Sequence, residues 1–224
     1  MKKEEIAIII AGGGSSSRYG AGNKLLELLD GVPVFIHSIK MLCGFARREN
    51  FVLTVNACDR EKFEKLLNDY GFADKVTVVN GGASRMESVK KALAEVKLES
   101  GKIAIHDAAR PLIETPLLKK LFSDERRNVI AAAAVFDSVK RPDSNGLITE
   151  EVDRTNLWRA QTPQVFDIIQ YRNAVAGASS DATDDASIMR GAGYDVYVVQ
   201  NDRENIKLTT SADLAKLEMI IKYR

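Results

Sequence analysis

The chain has 224 residues, 45% of them hydrophobic, with 32 basic against 31 acidic side chains and a formal net charge of +1. That is apolar material for one sizeable α/β domain across residues 1–224, without the basic excess expected of a nucleic-acid binder. No segment reaches membrane-spanning length, the N-terminal apolar run is too short for a signal peptide, and Cys43 and Cys58 lack metal-ligand spacing, so a cytoplasmic protein with free thiols is expected.

In chain order, Ile6, Ile8, Ile9 and Ile10 read as a strand buried on both faces, as in the middle of a parallel sheet. The run breaks into Gly12, Gly13 and Gly14 and three serines, with Arg18 and Lys24 further along. Glycines after a buried strand let the backbone approach a ligand and turn several N–H groups toward one anion, and the two cations add full charge beside them. A dinucleotide fingerprint fails because its third glycine position is Ser17, and a P-loop fails because Lys24 lies between Asn23 and Leu25. An ordinary βα turn with two solvated cations would read the same way, so the other segments decide.

Residues 33–46 have helical spacing with Pro33 at the start, and His37 within them reads as structural or solvated. Residues 51–57 read as a strand, 60–70 as an amphipathic helix and 75–80 as a third strand. Alternation of this kind means a mostly parallel sheet with ligands at the carboxyl ends of its strands. Gly81-Gly82 at such an end leads to Ser88 and a helix through Val96. The strand at 102–105 runs into His106-Asp107-Ala108-Ala109-Arg110-Pro111, where Asp107 near a triphosphate would be a natural Mg²⁺ ligand. Arg110 can fork onto a phosphate, or close a turn with Asp107.

Residues 128–135 read as another buried strand, after which the helical period is lost over 136–161. Asn145-Gly146 signals a hairpin, giving an arm over about 137–161 with Trp158 on its return strand. Such an arm has little core of its own, and a second subunit is the expected partner. Residues 162–166 are expected to end the arm and start a helix. The acidic loop at 181–187 opens a helix at 184–190, residues 194–200 form the last strand, and an amphipathic helix starts at about Ala212. Lys207, in the polar segment before it, means nothing alone.

Together these segments resemble the 2-C-methyl-D-erythritol 4-phosphate cytidylyltransferase family of the sugar-nucleotidyltransferase superfamily. The match is ordered and runs nearly end to end. Its pieces are the Gly loop with Arg18 and Lys24, Gly81-Gly82 with Arg85 and Ser88, residues 106–111, Val152-Asp153-Arg154 with Leu157-Trp158, residues 161–164, residues 183–187, and Asn205-Ile206-Lys207. The resemblance implies a three-layer Rossmann-like nucleotidyltransferase fold with a protruding β-arm, and transfer of CMP from CTP to methylerythritol phosphate. It implies that Arg18 and Lys24 stabilise charge at the α-phosphate and that Arg154 and Lys207 hold the acceptor. It places Gly12, Gly13, Gly14, Gly82, Ser88, Asp107, Ala108, Arg110, Ser138, Thr162 and Thr183 among the substrate- and nucleotide-binding residues, with the hydroxyls of Ser138, Thr162 and Thr183 matching positions of the acceptor site. It further implies Mg²⁺ as cofactor and a homodimer in which Arg154 serves the neighbour's site.

The chain departs from the family pattern at Asn23-Lys24-Leu25, usually Pro-Lys-Gln, in the first Gly turn, and at Ala83, often an acid. The competing readings are a ribitol phosphate cytidylyltransferase, an NAD-dependent oxidoreductase and a non-catalytic nucleotide sensor.

Overall fold

The computed structural model describes residues 5–14, 19–20, 22–178, 182–202 and 204–224. A seven-stranded sheet runs in the order β11 (Tyr197–Gln200), β7 (Val129–Ala134), β10 (Trp158–Asp167), β6 (Lys102–Asp107), β1 (Ile6–Ala11), β4 (Phe51–Val55), β5 (Thr77–Asn80). Among the described residues every pairing in it is parallel except those that β10 makes with β6 and β7. The unbroken apolar run of β1 now has its cause. Ile6, Ile8 and Ile10 pack into one apolar cluster, while Ala7 and Ile9 pack into a second on the opposite face.

The first cluster is covered by α1 (Val34–Leu42), α2 (Arg60–Asp69), α4 (Thr115–Ser123) and α7 (Ser211–Lys222). The second is covered by α3 (Arg85–Glu95), α5 (Ile168–Gly177) and α6 (Asp185–Gly191). Four of the helix starts are fixed by side-chain caps. Ser84, Asp167 and Asp184 accept N–H bonds at the starts of α3, α5 and α6, and Thr210 with Asp213 makes a capping box on α7. In α2, Phe63 and Leu67 lie one turn apart and are buried, while Arg60 and Glu64 pair on the wet side. The helix α4 went unread in the sequence, although Pro116 sits in its first turn and Leu117, Leu118, Leu121 and Phe122 form its buried face.

Two short strands, β2 (Leu28–Leu29) and β3 (Val32–Pro33), close a hairpin whose two turn residues, Asp30 and Gly31, both have positive φ. The arm is a separate two-stranded hairpin, β8 (Val139–Pro142) and β9 (Ile148–Val152). Its turn is held by the Asp143 carboxylate, which accepts the N–H groups of Asn145 and Leu147.

Residues 162–166 do not end the arm or start a helix. They are the buried half of β10, in the middle of the sheet, and α5 begins only after the Asp167 cap. Trp158 likewise opens β10, paired with Ala134, so the arm proper ends before it. Pro163 misled because it lacks an N–H. It falls within a register shift between Ala160 and Gln164, where the β7 ladder is interrupted and asks for none.

The strand order reverses at β1. The chain moves outward through β4 to β5 and then crosses back to β6 on the other side. Ligand crevices form at such a point, outside the carboxyl ends of the strands. Gly12 is required there, since its N–H donates to the Thr54 carbonyl at 3.0 Å and a Cβ would stand 2.7 Å from that oxygen. Gly12→Ala is expected to cost about 1–3 kcal/mol in urea unfolding, the range of an overpacked buried site. At Gly14 a Cβ would meet nothing within 4 Å, and Gly14→Ala should stay within about 0.5 kcal/mol. Equal losses in the two variants would contradict this packing.

Candidate active site

The carboxyl ends of β1, β4, β5 and β6 surround a cleft of about 740 Å³. Gly12, Gly13 and Gly14 form one wall, Gly82, Ser84 and Ser88 another, and Lys24 and Lys207 bring cations to it. Gly82 donates its N–H to the Ser88 hydroxyl at 2.9 Å, and that hydroxyl donates to the Ser84 carbonyl. Ser88 therefore shapes the Gly-Gly turn from behind. Glu87 reaches back from the first turn of α3 to accept the Ala83 N–H at 2.8 Å, and that bond holds its carboxyl below the usual range.

Lys24 is set by its neighbours. The Asn23 side chain accepts the Leu25 N–H at 3.1 Å and donates to Asp59 at 3.0 Å, while Leu25 is buried in the core. An Asx turn tied to a distant loop thus fixes the backbone on both sides of Lys24.

Asp107 is the charge centre. It ends β6 almost fully buried, accepts from Lys207 Nζ at 2.7 Å, and has Arg85 Nε at 3.7 Å and Arg110 Nε at 3.9 Å. Burial pushes its pKa up, but the Lys207, Arg85 and Arg110 charges outweigh that and hold it at about 2. The backbone is pinned beside it. The Asp107 N–H donates to Thr162 Oγ1 at 3.0 Å, and Thr162 Oγ1 lies 3.1 Å from His106 Nδ1. The other His106 nitrogen, Nε2, lies 3.2 Å from the Arg110 carbonyl. A carbonyl can only accept, so Nε2 carries the proton and Nδ1 accepts from Thr162.

A smaller cavity of about 300 Å³ adjoins the cleft, lined by Arg110, Gln164, Thr183 and Asp184 among others. Arg85, Asp107 and Lys207 line both spaces. Arg110 donates from Nη1 to the Asn205 carbonyl at 2.7 Å, and its Nε is buried with no hydrogen-bond partner. Two cavities joined through Arg85, Asp107 and Lys207 suit a reaction between two anions.

A family model for 2-C-methyl-D-erythritol 4-phosphate cytidylyltransferase matches residues 6–223. The chain belongs to this family. It is similar to the 2-C-methyl-D-erythritol 4-phosphate cytidylyltransferase of Shouchella clausii (strain KSM-K16), at 39% identity with 98% of each chain covered. It is also similar to that of Parasynechococcus marenigrum (strain WH8102), at 37% identity over 97% of this chain and 98% of the relative. Among solved structures, the 2-C-methyl-D-erythritol 4-phosphate cytidylyltransferase of Francisella tularensis superposes with a TM-score of 0.78 at 26% identity, covering 96% and 99% of the two chains.

Of the residues that the cytidylyltransferase pattern points to, the structure brings Gly12, Gly13, Gly14, Lys24, Gly82, Ser88, Asp107 and Lys207 to the larger cleft. Arg110, Thr162 and Thr183 line the smaller cavity. The Thr162 hydroxyl is committed to the His106–Asp107 network, and Thr183 Oγ1 lies 3.0 Å from Ser187 Oγ. Ala108 is buried behind the wall, its N–H donating to Ala11, and its neighbour Ala109 lines the cleft instead. Ser138 and Arg154 are not brought to either space within one chain. Ser138 is exposed at the base of the arm, and Arg154 donates to the Phe136 carbonyl. Arg18 lies outside the described residues. Sequence reasoning read Asp185 only as one of the acids at a helix start and gave Arg85 no role, yet the two form an ion pair at 2.6 Å. The signal was the Arg85 position at a helix start on the ligand edge.

Burial lowers the His106 pKa from 6.5 to about 4. The folded state thus resists protonation, and the stability His106 contributes is complete above about pH 6.5 and lost as pH falls toward 4. Its imidazole resonances in an NMR titration should stay flat down to about pH 5. A midpoint above about 6 would overturn the neutral, Thr162-bonded state.

Proposed function

We propose that the chain transfers the cytidylyl group of CTP to 2-C-methyl-D-erythritol 4-phosphate and releases pyrophosphate, a step of non-mevalonate isoprenoid precursor synthesis. An oxygen of the acceptor's phosphate attacks the α-phosphorus of CTP. The bond from that phosphorus to the oxygen bridging to the β-phosphate breaks, and the electron pair leaves with pyrophosphate. No side-chain nucleophile is needed. The chain's task is to hold two anions in line and neutralise the charge that builds between them.

The observation that carries this reading is the pair of adjoining cavities with shared cations. The Gly loop and Lys24 would take the triphosphate in the larger cleft, with Arg18 as the second cation at the α-phosphate. The Gly82 turn, shaped by Ser88, would meet the cytosine. Lys207 and Arg110 would hold the acceptor from the smaller cavity. Phe136, Leu147 and Ile148 are exposed on and beside the arm, which supports a homodimer in which a partner's arm brings Arg154 and Ser138 to this site. Among the described residues no helix is long and apolar enough to cross a membrane, and we place the reaction in the cytoplasm.

Mg²⁺ fits this donor set as an ion that arrives with the nucleotide. It prefers one or two carboxylates plus phosphate and water oxygens, and Asp107 offers one ionised carboxylate at the cleft. Among the described residues no group of three or more metal-ligating side chains forms a ready-made cage. When bound, the ion would neutralise phosphate charge. Lys207, Arg85 and Arg110 do the same with the chain's own groups.

Pyrophosphate release from CTP, compared across methylerythritol phosphate and ribitol phosphate, tests the reading directly. Preference for methylerythritol phosphate is expected, and a preference for ribitol phosphate would reassign the acceptor. Lys24→Met keeps the stem and deletes the charge, and should lower kcat by about 10²–10³-fold with CTP binding largely kept. A loss below about threefold, the scale of a surface charge, would move the α-phosphate role elsewhere.

A further inference from the structure

Behind the wall that the two cavities share lies a buried chain of polar contacts. Tyr171 donates its hydroxyl to Asp185 Oδ1 at 2.5 Å, and Asp185 Oδ2 accepts from Arg85 Nη2 at 2.6 Å. Tyr171 and Asp185 are both inaccessible to solvent, and the Tyr171 ring is stacked on Phe166 at 5.2 Å between centroids. Asp185 opens α6, where the helix dipole favours an anion, and Gln164 locks the same turn by accepting the Ala186 N–H at 2.8 Å and donating to Asp184 at 2.8 Å. Arg85 opens α3 and lines both cavities.

An ion pair with one partner fully buried and the other half-buried is a weak stabiliser, because desolvation offsets most of its attraction. What it supplies is a fixed direction. Arg85 is held at Nη2 by Asp185 at 2.6 Å and has Asp107 Oδ1 at 3.7 Å from its Nε, so two carboxylates fix the guanidinium along one edge. The rest of the planar group is thereby set in the wall that both cavities share.

We propose that Arg85 is a further cation, beside Lys207 and Arg110, that receives the acceptor's phosphate at the wall between the two cavities, and that Asp185 and Tyr171 are positioning residues that aim it. The inference rests on the assignment of the smaller cavity to a phosphorylated polyol. Asp185→Asn keeps the shape and the acceptor for Tyr171 but removes the charge that holds the guanidinium. It should raise KM for methylerythritol phosphate about tenfold with KM for CTP within about twofold, and Tyr171→Phe should move the same constant about threefold in the same direction. The double variant Arg85→Ala with Asp185→Asn should be no worse than Arg85→Ala alone, because Asp185 acts only through Arg85. Guanidinium ion in the assay should restore part of the Arg85→Ala activity and none of the Lys24→Met activity.

Multiplicative losses in the double variant, or equal changes in both KM values, would overturn the clamp. Should Asp185→Asn fail to fold, Tyr171→Phe and the guanidinium rescue carry the test. A wild-type protein that releases no pyrophosphate with methylerythritol phosphate defeats the acceptor reading. An active wild type whose acceptor KM ignores Tyr171→Phe and Asp185→Asn defeats the clamp alone.

Discussion

One ionised carboxylate holds the site together. Asp107 ends a central strand, nearly out of contact with water, where a lone carboxylate would take up a proton rather than stay charged. Lys207 at 2.7 Å and the more distant Arg85 and Arg110 keep it ionised. The dependence runs both ways, since three cations crowded at one sheet edge would repel one another without an anion among them. These elements are far apart in sequence, from the start of α3 to the segment before α7, and Asp107 is where they converge. The result is a rigid positive wall at the strand-order switch, prepared for two phosphorylated substrates before either arrives.

Much of the fold was legible because local chemistry and global position agree. β1 reads as a two-face-buried strand and is one, and Asp184 reads as a cap and accepts the Ser187 N–H at 2.9 Å. The alternation of strands and helices gave the parallel sheet. What misled was β10. Its proline and polar residues look like a loop, because the bulge that excuses Pro163 and the partners that satisfy Gln161, Thr162 and Gln164 lie elsewhere in the chain. Local periodicity cannot report a hydrogen bond to a residue dozens of positions away.

The candidate site divides along the same line. The Gly loop and the Gly81-Gly82 turn could be placed at the ligand edge from the strands before them, while their roles came from the family resemblance. Lys207 had no local meaning and acquires one only through its contact with Asp107. Asp185 was legible only as one more acid near a helix start, whereas its burial against Tyr171 and Arg85 gives it a task. Ser138 and Arg154 flank the arm strands outside both cavities, and Arg154 donates to the Phe136 carbonyl. Asn23, at a departure from the family pattern, is tied in by bonds to Asp59 and the Leu25 N–H, neither of which its local sequence announces.

The measurement closest to the central claim is a ¹³C NMR titration of the Asp107 carboxyl in the protein without substrates, in wild type and in Lys207→Met. The account expects a wild-type midpoint of about 2 that rises by roughly one to three units when the nearest cation is deleted. A wild-type midpoint at or above the ordinary carboxylate value of about 4, unmoved by Lys207→Met, would mean that the cations do not converge on Asp107, and the wall built on it would fall.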